Sequence, residues 1–481
     1  MSATGHDGEV VPPTHAAIQG SRAILAPDSV RDAVERRSLL EWLSDAGLRT
    51  VHLGLVDASG TVREKRLGAS AAARAFEDGW SFIDAIQWWG PDDSVWRSGG
   101  ASSGAVAVDT DSGRAYPFAD DAAFFFAEFG APLHELSGRF QLQRMVELAA
   151  AVGIDAWAAW EFECIVLDSA LDASGSPKPV MAANRCWSAL TMATEEDELA
   201  RLVGTLEAGA IPIDHVCAEL GPGCLEIATA PEPAVRSADS AALAKVYTKA
   251  HFARAGRRAT FMAQLGSGFP GLGGHPSLSL RELGDDTPLL CDEPGVLSKT
   301  GSSAVAGVVT LLPELLAMAA PYPNSFRRFG PGNWSPSTAT WGSDAYSCAL
   351  RVVTRQLRDA RLELRIPGAD TSPHHCLAMF LGAALWGIEE RLDPPAPVAP
   401  PRRRTRQRGP PPPPRPGGSR RAVCGQRGRS RALRPCLRRA LRGVPASRGG
   451  GLSAFRLRRR ARPLPRSGLT EGRRGIGMVT G

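Results

Sequence analysis

Acidic residues recur in this sequence at spacings that could bring carboxylates together. Glu161 and Glu163 lie two apart in WEFECIV, whose apolar and β-branched content predicts a strand, so both would point to one face. Glu219 and Glu226 flank LGPGCL, where a turn or bulge at Gly-Pro-Gly could bring them to one side. Carboxylates that share a face suit hard divalent cations, although solvated surface acids give the same spacing.

Two further segments add an imidazole and guanidinium groups. His275 follows the glycine-rich run GSGFPGLGGH, where missing side chains would let the backbone approach a ligand closely. The segment RLELR alternates Arg361, Glu363 and Arg365 with leucines, so one strand face would carry an acid between two guanidinium groups. This pattern suits a metal beside carboxylate and phosphate groups, and a surface ion-pair ladder is the alternative.

The elements that must position these residues fall into two predicted domains. Residues 1–35 are polar, carry no motif and are expected to form a flexible leader. Residues 36–132 predict a small α+β domain with a helix (SLLEWLSDA) followed by a hairpin that turns at DASG. Residues 133–393 predict a larger domain, which begins with a helix and the strand that carries Glu161 and Glu163.

The last predicted segment, residues 394–481, is rich in arginine and proline. Residues 401–481 contain 24 arginines, no lysine and one acid, which gives +23; the net charge of +6 therefore leaves −17 on the first 400 residues. Without helix or strand periodicity, this tail is expected to be disordered. A shifted reading frame in GC-rich DNA would produce it, and a natural basic tail that binds nucleic acid or an acidic surface is the alternative.

Hydropathy and cysteine usage exclude several classes of protein. The N-terminus has no basic cluster followed by an apolar run, which argues against a secretory signal. The longest apolar stretch, 304–320, is interrupted by Pro313 and Glu314 and falls short of the ~20 residues of a membrane helix, so it predicts a buried helix. Nine scattered cysteines without a CxxC pair suggest neither a disulfide framework nor a zinc site. We expect a cytoplasmic protein with no membrane partner.

The ordered series of these segments resembles glutamine synthetases and their relatives that act on polyamines or other amines. The series ExE, ELGPGCLE, GLGGH, PNSFRRFGPG, WG and RLELR lies within residues 40–392. The resemblance implies an α+β fold: a small N-terminal β-grasp domain, then a catalytic domain with a curved antiparallel sheet flanked by helices. It also implies a homo-oligomer of stacked hexameric rings, and a ligase in which ATP phosphorylates the side-chain carboxylate of glutamate before an amine attacks.

The resemblance also implies roles for individual residues. Two Mg²⁺ or Mn²⁺ ions would be bound, one by Glu163, Glu219 and Glu226 and the other by Glu161, His275 and Glu363. Substrate contacts would come from Gly271, Arg328, Trp334 and Arg365. The nucleotide would be contacted by Ser279, Arg351 and Arg361. Catalysis would rest on three arginines that clamp substrate carboxylates or stabilise the transferring phosphoryl group, Arg328, Arg351 and Arg365.

The expected acceptor is an organic amine, because the sequence departs from the ammonia-using members of the family. Trp334 stands where those members have an acid in a flexible loop, and the small domain lacks their Asp-Gly-Ser-Ser stretch. An indole suits the carbon chain of an amine, whereas ammonium needs an acid that desolvates and deprotonates it. The sequence therefore predicts a γ-glutamyl amide ligase; glutamine synthesis from ammonia is the alternative, and Trp334 could instead be a packing residue.

An alternative of another class is a catalytically impaired relative whose basic tail binds nucleic acid or a partner. Three further departures favour it: Ala345-Tyr346 replaces Asn-Arg, Ser372-Pro373-His374 replaces Asn-Pro-Tyr, and Ser277 replaces a second histidine. Beyond residue 392 the family continues into helical segments that help to lock its rings, whereas this chain has the arginine-proline tail.

Overall fold

The computed structural model describes residues 39–398 apart from 97–100, 172–174, 182, 267 and 330–332. The predictions for the leader and for the tail beyond residue 398 therefore lie outside the described residues. The helices are α1 (Leu39–Asp45), α2 (Ala69–Asp78), α3 (Gly138–Ala151), α4 (Ala189–Thr194), α5 (Glu196–Ala208), α6 (Ala234–Arg254), α7 (Lys299–Leu311), α8 (Leu316–Ala319) and α9 (Pro373–Glu389). The strands are β1 (Thr50–Val56), β2 (Val62–Gly68), β3 (Trp80–Ile83), β4 (Ser103–Val108), β5 (Arg114–Ala115), β6 (Ala122–Phe129), β7 (Ile154–Leu171), β8 (Pro177–Pro179), β9 (Ile213–Ala218), β10 (Cys224–Thr229), β11 (Glu232–Pro233), β12 (Arg257–Thr260), β13 (Gly274–Glu282), β14 (Cys291–Glu293), β15 (Val296–Leu297), β16 (Trp341–Ser343), β17 (Leu350–Val353) and β18 (Arg361–Leu364).

The first sheet is mixed and has the order β2-β1-β6-β4-β3, with β5 also paired to β6. The predicted hairpin is confirmed: β1 and β2 pair antiparallel, and Gly60 takes a positive φ of 81° in the turn. Strand β6 runs parallel to β1, and helix α2 packs on this sheet. The predicted β-grasp topology is thus confirmed in part.

Strand β6 is buried on both faces. Phe124 and Phe126 belong to the core of the larger sheet, whereas Ala123 and Phe125 belong to a second core between the first sheet and helices α1 and α2. A strand buried on both faces has a continuous apolar sequence, as AAFFFAEF does. The two cores therefore share one strand.

The second sheet, which curls through ten strands, carries the acidic segments. Its main path is β16-β17-β18-β13-β7-β10-β9, and β8, β11 and β12 pair along β7. The predicted antiparallel arrangement holds except between β16 and β17, which are parallel. Along β7, alternate residues from Ile154 to Cys164 are buried, so the odd-numbered residues face the open side of the sheet.

Helices α3, α6 and α9 pack together behind this sheet, and α7 packs against α9. The expectation of one helix over 304–320 is wrong, because α7 ends at Leu311 and the short α8 begins at Leu316. Pro313 lies between them and cannot continue the backbone hydrogen bonding of a helix. Among the described residues, no helix combines the length and apolar character that crossing a membrane requires.

Candidate active site

Two pairs of functional groups face each other across the centre of the larger sheet. Glu163 on β7 lies opposite Glu226 on β10, and Glu161 lies opposite His275 on β13. Directly opposed residues of antiparallel strands have neighbouring side chains on one face, so the register brings together groups that lie far apart in the sequence. The four residues form the acidic centre of the open face.

Glu363 extends this row onto β18, where it lies opposite Ser277 on one side and Arg351 on the other. Its carboxylate is fully buried and accepts hydrogen bonds from Arg351 Nη1, at 2.6 Å, and from Arg365 Nη1. The guanidinium groups of both arginines stack on the ring of Tyr346, at 4.1 and 5.1 Å from its centroid. Glu363 thus lies between two guanidinium groups, but only Arg365 comes from RLELR: the second is Arg351 of β17, whereas Arg361 donates to the carbonyl oxygen of Asp359.

One set of ligand atoms in the centre fits a divalent cation. Single atoms of Glu161, His275 and Glu363 lie within 4.8 Å of one another. Burial, together with the nearby Arg365 and Arg328, lowers the pKa of His275 well below its usual value, so the imidazole is neutral and able to bind a metal. Two carboxylates and a neutral imidazole suit Mg²⁺ or Mn²⁺, so the donor set fits the group that the resemblance implies.

Glu163 lies in a desolvated environment beside the second set of acids. Its Oε2 accepts a hydrogen bond from the backbone N–H of Gly273 at 2.8 Å. Burial, opposed by the charge of Arg328 and aided by nearby Glu226 and Glu219, raises the pKa of Glu163 to about 7. Burial also raises the pKa of Glu219. A bound cation would favour the charged form of these carboxylates.

The turn between β9 and β10 holds Glu219 on the same side as Glu226. Gly221 and Gly223 take positive φ values of 108° and 69°, which Gly adopts without steric cost. The buried Asn184 donates from Nδ2 to backbone carbonyls on both sides of this turn, those of Glu219, Gly221 and Cys224. The Gly-Pro-Gly turn therefore brings Glu219 and Glu226 to one side, as its sequence predicts, and the hydrogen bonds of Asn184 stabilise the turn.

Arg328 is buried beneath the acidic centre. Its Nη1 donates to the carbonyl oxygen of Ile366 at 2.8 Å, and its Nη2 lies 3.0 Å from His275 Nε2. Burial lowers the pKa of Arg328 to about 10. The structure thus brings Arg328 to the centre but places it behind His275 and at 3% exposure, which leaves little of its surface for a substrate.

The glycine-rich run makes room for Arg328. A Cβ on Gly271 would lie 2.8 Å from Arg328 Cγ, and a Cβ on Gly273 would overlap His275 and lie 3.1 Å from Arg328 Nη2. The expected close approach of the glycine backbone therefore occurs, and the groups that it approaches are the side chains of Arg328 and His275.

Trp334 lies on the loop that packs toward the glycine-rich run. Its neighbour Asn333 packs toward Gly271 and donates from Nδ2 to the carbonyl oxygen of Arg327 at 3.1 Å. Trp334 itself is 77% exposed, with a positive φ of 53° that is uncommon for a bulky residue. The described structure thus presents an indole to solvent, next in the chain to the residue that packs toward Gly271.

Comparison with known proteins accounts for this arrangement. The family model described as glutamine synthetase, catalytic domain, matches residues 135–403. The chain belongs to the glutamine synthetase family. It is similar to a glutamate–isopropylamine ligase of Pseudomonas sp., with 31% identity over 77% of this chain and 82% of that protein. A type-1 glutamine synthetase of Dictyostelium discoideum is 29% identical over 70% of this chain and 68% of its own length.

A solved structure shares the fold. The ADP complex of GmaS superposes with a TM-score of 0.66 at 24% sequence identity, covering 75% of this chain and 83% of that one. Membership of the glutamine synthetase family makes the chain an ATP-dependent ligase of glutamate with an amine or ammonia that uses a divalent metal.

Two residues with roles implied by the family resemblance lie away from the acidic centre. Ser279 is on the same strand as His275 but four residues further along, and its hydroxyl donates to the carbonyl oxygen of Ala360 at 2.9 Å. Arg361, at the start of β18, donates to the carbonyl oxygen of Asp359. The structure therefore does not bring these two residues into contact with the carboxylates, and their nucleotide contacts stay predictions.

Sequence reasoning missed several residues that shape the site. Gly273 holds Glu163 through its N–H, Asn184 fixes the β9–β10 turn, and Tyr346 stacks on both arginines. Tyr346 is readable only as a replacement for a family arginine, and Asn184 has no signal in its own segment. Both lie in loops outside the strands, so their contacts depend on how the folded elements pack and not on a local sequence pattern.

Proposed function

We propose that this chain forms a γ-glutamyl amide from glutamate and an organic amine. ATP would phosphorylate the side-chain carboxylate of glutamate, and the amine would then attack the acyl phosphate and displace phosphate. Bound divalent ions would neutralise charge on the phosphate oxygens. The proposed ligands are Glu163, Glu219 and Glu226 for one ion and Glu161, His275 and Glu363 for the other.

We further propose that the arginines divide the remaining work. Arg351 and Arg365 hold both oxygens of Glu363 and lie at the open face, where guanidinium groups could stabilise a transferring phosphoryl group or hold a substrate carboxylate. Arg328 is buried against His275, so we assign it the task of positioning that imidazole.

The exposed indole of Trp334 is the observation that supports an organic amine. It lies on the loop that Asn333 fixes beside Gly271, at the position where ammonia-using members have an acid. An indole offers apolar contact area to the carbon chain of an amine but no charge that could take a proton from ammonium. The similarity to a glutamate–isopropylamine ligase is consistent with such an acceptor.

The direct test measures ATP-dependent phosphate release by the purified protein with glutamate and Mg²⁺. Ammonia, ethanolamine, isopropylamine and a set of polyamines are compared as acceptors, with Glu163→Ala as the inactive control. We expect release with an organic amine and not with ammonia, and loss of release in the control. Release with ammonia alone would instead make the chain a glutamine synthetase, the alternative that the Dictyostelium relative favours.

Substitution of Trp334 tests the acceptor directly. Removal of an apolar contact costs about 10- to 200-fold in discrimination between substrates. We expect Trp334→Ala to lower kcat/KM for the amine by at least about tenfold, with the KM values for ATP and glutamate unchanged. Trp96→Ala is the matched control, since Trp96 is also exposed, at 60%, but lies in the connection between β3 and β4 of the first sheet. An equal effect of both substitutions would contradict the assignment.

A further inference from the structure

A second group of metal-binding side chains adjoins the acidic centre. His215 and Cys217 are alternate residues of β9 and share a face, and Glu226 of β10 lies directly opposite Cys217 in the strand register. Single ligand atoms of the three residues lie within 4.8 Å of one another. The scattered cysteines do not predict a zinc site, but the pairing of β9 with β10 brings one of them close to a histidine and a carboxylate.

The spacing of these atoms fits a tetrahedral ion. His215 Nε2 lies 3.4 Å from Glu226 Oε1, and Cys217 Sγ lies 3.7 Å from the same oxygen. With bonds of about 2.0–2.1 Å to nitrogen or oxygen and about 2.3 Å to sulfur, ligands at tetrahedral angles are separated by about 3.3–3.6 Å. The observed distances lie close to these values, so the two strands hold the ligands near the required positions.

The donor types point to a different cation from the one that the carboxylates suit. A thiolate selects Zn²⁺ over Mg²⁺, whereas a set without sulfur in which carboxylates predominate suits Mg²⁺ and Mn²⁺. The side chain of His215 is 46% exposed, which gives an ion access from solvent. Three protein ligands would leave one tetrahedral position for water.

We propose that His215, Cys217 and Glu226 bind Zn²⁺ and that this binding inhibits the ligase. Glu226 is also a proposed ligand of the catalytic ion, and a carboxylate held by Zn²⁺ between β9 and β10 is withdrawn from that role. The zinc site stands on geometry alone, whereas the inhibitory effect rests on the proposed function. Ordinary hydrogen bonds to Glu226 Oε1, from the His215 ring and from the Cys217 thiol, are the competing explanation, and they require no metal.

Cobalt binding to the full-length protein tests the site. Co²⁺ serves as a spectroscopic substitute for Zn²⁺, because a cysteine ligand gives a thiolate-to-cobalt charge-transfer band that carboxylate and imidazole sites lack. We expect this band in the wild-type protein, its displacement by Zn²⁺, and its loss in Cys217→Ser. Circular dichroism and thermal unfolding of each variant establish that it is folded.

Two variants make the cobalt test specific. Cys186→Ser is the matched control, since the Cys186 thiol is 3.4 Å from Glu219 Oε1 in the same region but does not belong to the trio; we expect it to keep the band. His215→Ala should weaken Zn²⁺ binding, measured by competition with a chelating dye, by at least about tenfold. A band that survives Cys217→Ser, or one that disappears with Cys186→Ser alone, would overturn the proposed site.

The functional consequence is measured separately as phosphate release at constant Mg²⁺ and increasing Zn²⁺. We expect inhibition that a chelator reverses, and a shift of at least about tenfold toward higher Zn²⁺ in Cys217→Ser. Equal sensitivity of wild type and variant would overturn the inhibitory role. A wild-type protein with no activity at any Zn²⁺ concentration would contradict the proposed function, while the cobalt spectrum would still decide whether the site exists.

Discussion

At the level of single residues, the burial of Glu163 has opposite effects on folding and on cation binding. Desolvation raises its pKa to about 7, so at neutral pH and above the protein without metal holds a charge that its surroundings disfavour. The same carboxylate, with Glu219 and Glu226 nearby, is suited to a divalent ion. A residue of this kind lowers stability until the ligand binds.

Glu163→Gln should therefore stabilise the metal-free protein in a pH-dependent manner. A carboxyl group whose pKa is raised in the folded state contributes stability that is fully present below its ordinary pKa. For Glu163 that stability is lost as pH rises through about 7. In urea unfolding with a chelator present, we expect the variant to match the wild type at pH 5 and to exceed it at pH 8. The gain should be about 2 kcal/mol, less than the full pKa difference implies because the side chain keeps some solvent contact.

The control for this measurement is Glu389→Gln, at an exposed position near the end of α9. It should change the free energy of unfolding by less than about 0.5 kcal/mol at both pH values. If Glu163→Gln were less stable than the wild type at pH 8, the carboxylate would be better satisfied by the protein than its burial indicates.

The sequence predicts a site residue well when a local pattern positions it and poorly when contacts with distant segments do. Glu161 and Glu163 share a face because of the two-residue period of a strand, which is readable in the chain. The proximity of Cys217 to Glu226, or of Gly273 to Glu163, depends on which strands pair and in what register. Arg328 could be found by resemblance, but its burial behind His275 could not be predicted, because it results from packing around two glycines.

At the level of elements, local patterns predicted the main strands and helices well. The alternating burial of β7 and the hairpin of β1 and β2 both agree with their sequences. The expectation of one helix over 304–320 is wrong although the stretch is apolar, because Pro313 lies between α7 and α8 and cannot continue the helical hydrogen bonding. The pairing of α7 with α9 had no signal beyond the small residues along both helices.

Gly307 in α7 and Gly387 in α9 let these helices touch along their backbones. A Cβ on Gly307 would lie 2.7 Å from the Cα of Gly387 and closer still to the carbonyl oxygen of Ala383. Gly307→Ala should therefore force the helices apart and destabilise the protein by about 1–3 kcal/mol, measured by urea unfolding.

Gly204→Ala is the matched control within a helix. Gly204 lies in α5, and a Cβ there would meet no atom within 4 Å. This substitution should stabilise the protein by about 0.5–1 kcal/mol, since alanine loses less backbone entropy on folding. If Gly307→Ala lowers the free energy of unfolding while Gly204→Ala raises it, the loss is due to the contact between the helices. Changes of the same sign in both variants would refute that explanation.

At the level of the whole molecule, a buried ion network adds to the shared strand β6 in joining the two sheets. Arg139 of α3 donates to Asp239 of α6 at 2.9 Å and to Asp109, which follows β4 of the first sheet, at 2.6 Å. His374 of α9 lies 2.8 Å from Asp239 through Nε2. Three helices packed behind the second sheet thus meet the end of a strand of the first sheet at a buried guanidinium group, the buried Asp239 and the partly exposed Asp109.

Asp239→Asn should destabilise the protein at neutral pH much more than in acid. Although burial opposes the charge of Asp239, Arg139 and His374 hold its pKa well below the usual range. A carboxylate of this kind contributes stability above its ordinary pKa and loses it as pH falls toward the lower folded value. Loss of one partner of a buried ion pair costs about 3–5 kcal/mol, so we expect a deficit of that order in urea unfolding at pH 7 and a smaller one at pH 3.

Because the shared strand β6 and the ion network both join the two sheets, a substitution in the network should loosen both sheets. In Asp239→Asn, amide hydrogen exchange should accelerate in β1 and in β13 together, because Arg139 joins Asp109 of the first sheet to Asp239 of α6, which packs behind the second sheet. Asp286→Asn is the control: its exposed pair with Arg281 contributes at most about 1 kcal/mol, and exchange should not change in either sheet. Faster exchange confined to β13 in Asp239→Asn would mean that the first sheet is held by its own core, and that the shared strand and the network do not couple the two.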